Sequence, residues 1–188
     1  MTPEICLISV PHNGTLFTLD VFRRHGWKEA SLNELPPKHV PTVYQGHCTK
    51  LGQTMMALEL GRRMPIVMPL RHPYRVEESW RRRGYPPDQV LTDLVFAYRH
   101  MFTQLADRAI FLPLDANPLT RAKQHDELNA AAGVELAIDW DNIVGGKNNT
   151  HAIKLSALDP SPQIREIRAN PLFVEFYEED EPNGNDIN

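Results

Sequence analysis

A chain of 188 residues holds one well-packed core and is short for two. With 41% hydrophobic and 23% charged residues and a formal net charge of −4, it has the composition of an ordinary globular domain, without the basic excess of a protein that grips a nucleic-acid duplex. Cys6 and Cys48 are too few for a disulfide framework, no apolar run nears the roughly 20 residues of a membrane span, and Met1-Thr2-Pro3-Glu4 lacks a basic leader, so a cytoplasmic protein is expected.

Glu4 to Val10 predicts a buried strand, with Ile5, Leu7, Ile8 and Val10 in a run too short for a helix. Thr15 to Arg24 predicts a helix carrying Leu16, Leu19 and Phe22, stopped by His25-Gly26. Trp27 to Pro41, with Pro36-Pro37 and Pro41, predicts a loop. Thr42 to Gly46 is a second strand, Lys50 to Arg63 a helix and Pro65 to Leu70 a third strand. Pro73 to Arg83 is a short helix with proline in its first turn, where a missing N–H does little harm. Asp88 to Asp107 is the longest helical pattern, Ala109 to Leu114 a fourth strand, and Pro118 to Ala132 a helix closed by Gly133. Trp80, Phe96, Tyr98 and Phe102 fall at helical spacing and are assigned to the core. Asp141 to Pro162 predicts loop, and Leu172 to Tyr177 a last strand or extended packing segment. These elements make one domain over residues 1–177, followed by an acidic, disordered tail over 178–188. Strands alternating with helices predict an α/β protein, a three-layer sandwich with a mainly parallel central sheet.

Two segments stand where such sheets bind ligands, beyond the carboxyl ends of strands. The first is Pro11-His12-Asn13-Gly14-Thr15, where a strand passes through a glycine turn into a helix. Free N–H groups and the helix dipole gather partial positive charge there, Gly14 permits close backbone approach, and Thr15 adds a hydroxyl. An ordinary capped turn would read the same way, and the lysine of a Walker A loop is absent. The second is Arg71-His72-Pro73, followed by Ser79. A guanidinium fork and a hydroxyl placed so can converge on one phosphate. Arg81, Arg82 and Arg83 read as a solvated basic face. His47, just after the second strand, has the near-neutral chemistry of a general base. His12, His47 and His72 are too widely spaced to argue for a metal.

These segments resemble the sulfotransferase family that uses 3′-phosphoadenosine 5′-phosphosulfate. Its first motif reads roughly Pro-Lys/Arg-Ser-Gly-Thr-Thr, against Pro11-His12-Asn13-Gly14-Thr15-Leu16 here. Its second reads Arg-Asp/His-Pro and a later Ser, against Arg71-His72-Pro73 and Ser79. Phe111-Leu112-Pro113-Leu114-Asp115, Pro118 and the helix ending at Gly133-Val134 look like a later strand-helix unit of the family.

The resemblance implies a P-loop NTPase-like sulfotransferase fold. It implies that His12, Asn13, Gly14 and Thr15 hold the 5′-phosphosulfate and that Arg71 and Ser79 hold the 3′-phosphate. His47 would be the base and His12 a second catalytic group, with no metal required. The activity implied is transfer of a sulfuryl group to a hydroxyl or amine of a small-molecule or glycan acceptor, with adenosine 3′,5′-bisphosphate as the other product and no nucleic-acid partner. This chain departs from the family in having His12 for a lysine or arginine and Leu16 for a threonine, and in lacking the late Gly-x-x-Gly-x-x-Lys element. A non-catalytic nucleotide-binding protein of the same fold is therefore a second reading, and a P-loop-like kinase a third.

Overall fold

The computed structural model describes residues 2–10, 13–34, 39–47, 51–84, 92, 95–99, 104–105, 107–140 and 162–177. Five strands form one sheet: β1 Glu4–Ser9, β2 Lys28–Ser31, β3 Thr42–His47, β4 Ile66–Leu70 and β5 Ala109–Pro113. Every pairing is parallel, in the order β2-β3-β1-β4-β5. The central strands are buried on both faces, which is why β1 and β4 read as unbroken apolar runs rather than alternating ones.

The pleat sorts the side chains of these strands into two cores. Ile5 and Leu7 of β1, Val67 of β4 and Leu112 of β5 point to one face. There they meet Leu19, Val21 and Phe22 of α1 (Thr15–Arg24) and Leu128 and Ala132 of α4 (Pro118–Ala132). Cys6 and Ile8 of β1, Ile66, Met68 and Leu70 of β4 and Phe111 of β5 point to the other. That face is covered by α2 (Leu51–Leu60), α3 (Pro73–Arg82), residues 95–99, α5 (Pro162–Arg168) and α6 (Pro171–Tyr177). The expected fold class is thus present: a parallel sheet between helical layers.

The strand order locates the topological switch point of the sheet. After β1 the chain moves to β2 and β3 on one side; after β4 it moves to β5 on the other. The loops leaving β1 and β4 therefore part in opposite directions, and a crevice opens between them at the carboxyl ends of the strands. Both expected anion segments leave from these two strands.

Two expectations are corrected. Trp27 to Pro41 is not all loop, because Lys28–Ser31 forms edge strand β2, paired from Lys28↔Thr42 to Ser31↔Gln45. Leu172 to Tyr177 is not extended: it lies in helix α6, with Phe173, Phe176 and Tyr177 buried at i, i+3, i+4. The helix expected over 50–63 runs from Leu51 to Leu60. Of the helix expected over 88–107, residues 92, 95–99 and 104–105 are helical, Asp107 is in a turn, and the rest lie outside the described residues; of the loop expected over 141–162, Pro162 starts α5 and the rest lies outside them, as does the tail of 178–188. No helix among the described residues is long and apolar enough to cross a membrane.

Candidate functional site

The loop after β1 is built around Gly14, which caps α1 at φ 87°. A β-carbon there would stand 2.1 Å from Leu114 Cδ1, so the turn passes against the end of β5 in a way that only glycine permits. Among the described residues no side chain caps α1, and its first turn holds no acidic residue.

Asn13 is fully buried. Its Nδ2 and Oδ1 face Tyr98 Oη at 3.0 and 3.1 Å, its Oδ1 also accepts from the Arg71 N–H at 3.2 Å, and its own N–H donates to Val10 O. Asn13 thus ties the loop after β1 to the loop after β4, and its side chain is committed to that link.

The loop after β4 carries the positive charge. The His72 carbonyl accepts from the N–H groups of Arg75 and Val76, which starts α3 immediately after Arg71. Arg71 and Arg75 then stand on either side of Asp115, just past β5. Their Nε atoms lie 3.7 and 3.5 Å from Asp115 Oδ2. The other oxygen, Oδ1, accepts from the His72 N–H at 3.0 Å and from the Tyr177 hydroxyl at 2.9 Å. Burial, and then the charge and hydrogen bond of Asp115, hold the Tyr177 phenol well above its ordinary range, while Arg71 pulls the other way, so Tyr177 is a proton donor in this cluster. Two guanidiniums share one buried carboxylate, which leaves the cluster a net positive charge. The contacts at Oδ2 are ion pairs longer than a hydrogen bond, and the two Nε atoms and Oδ2 are buried with no hydrogen-bond partner among the described residues, so the carboxylate attracts the guanidiniums by charge alone.

His47, the last residue of β3, reaches the first loop through Ser9, the last residue of β1 in register with it. Ser9 is fully buried; its Oγ lies 2.6 Å from Thr15 Oγ1 and 3.4 Å from His47 Nδ1. The His47 backbone N–H donates to Gln53 Oε1 at 2.8 Å, which anchors the strand end to α2.

The structure therefore gathers most of the expected residues at one sheet end. Asn13 is linked to Arg71 by one hydrogen bond, and Thr15 to His47 by two, through Ser9. Ser79 is half-buried in α3, one helical turn beyond Arg75. His12 lies outside the described residues. Arg81 pairs with Glu77 on its own helix and is half-exposed, in keeping with a solvated face. Among the described residues no three His, Cys, Asp or Glu side chains are gathered as a metal site would need.

Sequence reasoning missed Ser9, Arg75, Asp115 and Tyr177, and took Tyr98 for core alone. Asp115 carried a usable signal, being a charged residue directly after an apolar strand. Arg75 carried another, four residues after Arg71 in the same basic run. A cleft of about 400 Å³ opens elsewhere, lined by Met55 and Glu59 of α2, by Arg62 just after it, and by Asp107 and Arg108; none of the expected site residues lines it.

Fold and site together define a parallel α/β protein whose loops after β1 and β4, the second carrying Arg71 and Arg75, meet at its topological switch point. No protein-family model matches the chain, and no curated protein matches it. Among solved structures it is similar to mouse sulfotransferase SULT7A1 complexed with PAP, at 14% identity and a TM-score of 0.47 over 76% of this chain. The chain spans 62% of that mouse protein's length in the alignment.

Proposed function

We propose that this chain is a transferase that binds 3′-phosphoadenosine 5′-phosphosulfate and moves its sulfuryl group to a hydroxyl or amine of a small-molecule or glycan acceptor. The observation that carries the proposal is the meeting of two anion-receiving loops across one crevice, with a histidine one hydroxyl away from the first. The residues present fit the nucleotide. The uncapped start of α1, with Gly14 and Thr15, would take the 5′-phosphosulfate. Arg71, aided by Arg75 and Ser79, would take the 3′-phosphate.

The chemistry is then mostly positioning and charge stabilisation. The acceptor oxygen or nitrogen bonds to sulfur as the bond from sulfur to the bridging oxygen breaks, and adenosine 3′,5′-bisphosphate leaves. His47 takes the proton that the acceptor loses. The positive end of α1, with His12 beside it in sequence, offsets charge growing on the bridging oxygen.

Calorimetric titration with adenosine 3′,5′-bisphosphate, against ATP with Mg²⁺, tests this. Selective binding of the bisphosphate is expected. Arg71→Ala should weaken it roughly 10- to 100-fold, since a charge-assisted pair contributes about 1.5–3 kcal/mol. Preference for Mg-ATP would overturn the proposal in favour of a kinase. A non-catalytic nucleotide binder is the second reading. It is favoured by Leu16, 74% exposed in the first turn of α1 where the resembling family has a hydroxyl. Tight bisphosphate binding with no sulfate transfer to a panel of hydroxyl and amine acceptors would select it.

A further inference from the structure

Ser9 has no place in the mechanism above, yet it is a fully buried hydroxyl lying between the expected base and the expected anion loop. A serine hydroxyl owns one proton and accepts through its lone pairs. In the row Thr15 Oγ1, Ser9 Oγ, His47 Nδ1, the two hydroxyl protons must all point one way or the other. If Thr15 donates to Ser9, then Ser9 donates to Nδ1, and a neutral His47 carries its proton on Nε2. If Ser9 donates to Thr15, then Ser9 must accept from Nδ1–H, and Nε2 is left with a free lone pair. Only the second arrangement makes Nε2 a base. An anion in the first loop selects it: a phosphate oxygen accepts a hydrogen bond from the Thr15 hydroxyl, Thr15 then accepts from Ser9, and Ser9 accepts from Nδ1–H.

We infer that Ser9 is a positioning residue that couples nucleotide occupancy of the first loop to the tautomer of His47, so that the histidine becomes a base at Nε2 when the phosphosulfate is in place. The inference rests on the reading given under Proposed function and adds to it a hydroxyl row that arms the base. Its chemical content is a shift of two hydroxyl protons and one imidazole proton, with no bond made or broken to the ligand. The direction of the row is the whole of the effect, because both hydroxyls stay hydrogen-bonded in either arrangement.

Long-range ¹H–¹⁵N correlation spectra of histidine-labelled protein report the tautomer directly. Absence of the His47 signal in His47→Gln assigns it among the chain's 8 histidines. On saturation with adenosine 3′,5′-bisphosphate, the wild type should move to the form with Nδ1 protonated and Nε2 bare. Ser9→Ala removes one oxygen from a buried site. It should bind the bisphosphate within about threefold of wild type, a change well under 1.4 kcal/mol, and show no ligand-dependent tautomer shift. Bisphosphate binding that leaves the wild-type His47 signals where they were would overturn the coupling and leave the proposed function standing. So would an equal shift in Ser9→Ala. Failure of the bisphosphate to bind the wild-type protein would overturn both.

Discussion

Gly14 sits in a backbone conformation that L-residues avoid, with the buried Leu114 side chain already in the space a β-carbon would need. Gly14→Ala should destabilise the fold by about 1–3 kcal/mol, from left-handed strain together with overpacking, and reduce bisphosphate affinity because the loop must move. Urea denaturation and calorimetry on the same variant measure the two effects. Cys6 and Tyr44 give a second residue-scale prediction. Burial pushes the Cys6 thiol up from 9.0 to about 12. Burial first, and then the charge and hydrogen bond of Glu4, push the Tyr44 phenol up from 10.0 to about 12. In both cases the folded state keeps a proton that the unfolded chain gives up earlier. Above the unfolded value the unfolded state binds fewer protons, and stability falls as pH rises. The contribution is intact below the unfolded values and is lost between about pH 9 and 12. Urea midpoints should therefore drop across pH 9 to 11, and less steeply in Cys6→Ala. A flat profile there would contradict the burial of these groups. The same shift predicts that Cys6 in the native protein stays unmodified by thiol reagents at pH 8, as read by peptide mass mapping.

The elements that were legible in the sequence are those whose own residues dictate them. The end of α1 is one case. The N–H groups of Gly26 and Trp27 return to the carbonyls of Arg23 and Phe22, and the Trp27 ring packs 5.1 Å from Phe22. That is a left-handed helix stop with its hydrophobic clasp, written locally in Phe22 to Trp27. At α4, Asn117 accepts from the Thr120 N–H and Gly133 closes the helix at φ 67°. Strand β2 was not legible, because Lys28 and Glu29 are exposed, Ser31 is only partly buried and Ala30 alone is buried. Its pairing comes from β3 and not from its own pattern. Helix α6 was masked by its aromatic and β-branched content, which favours strands, although Pro171 at its start and the spacing of Phe173, Phe176 and Tyr177 are helical. In the site, Arg71 and Thr15 were legible because strand ends bear ligands, whereas Ser9 and Tyr177 join only when separate elements meet. Tyr177 shows what such a junction does. Its hydroxyl latches α6 to Asp115 just past β5, the carboxylate that pairs with Arg71 and Arg75. Tyr177→Phe should lower stability by about 1.5–3 kcal/mol, the effect of removing one hydrogen bond to a buried carboxylate. It should also weaken bisphosphate binding, because Asp115 becomes freer to move with the arginines. Tyr177→Phe with wild-type affinity would show that the arginines hold their places without the latch.

At the scale of the whole molecule, the two cores depend on the chain in different ways. The core on the α1 and α4 side is closed by residues 5–136, one continuous run of strand-helix units. The core on the other side is not. Ile167, Phe173, Phe176 and Tyr177 come from α5 and α6 and pack onto residues from all along the earlier chain. The Phe173 ring meets Tyr98 at 5.3 Å, Phe176 meets Phe111 at 5.9 Å, and Tyr177 meets His72 at 5.5 Å. Burying a large apolar side chain stabilises a fold by about 1.5–3 kcal/mol. Four of them together rival the roughly 5–15 kcal/mol by which a whole domain is stable. Helices α5 and α6 are therefore structural parts of the domain, and α6 also packs on Tyr98 and bonds to Asp115, which hold the loops after β1 and β4. A chain ending at Tyr177 should unfold cooperatively with a Tm close to that of the full chain and bind adenosine 3′,5′-bisphosphate. A chain ending at Pro160 should lose cooperative unfolding, bind hydrophobic dye and fail to bind the nucleotide. Differential scanning calorimetry of the two truncations decides the matter. If the shorter chain kept a sharp transition, the α1-side core would be sufficient on its own, and α5 and α6 would serve the site alone.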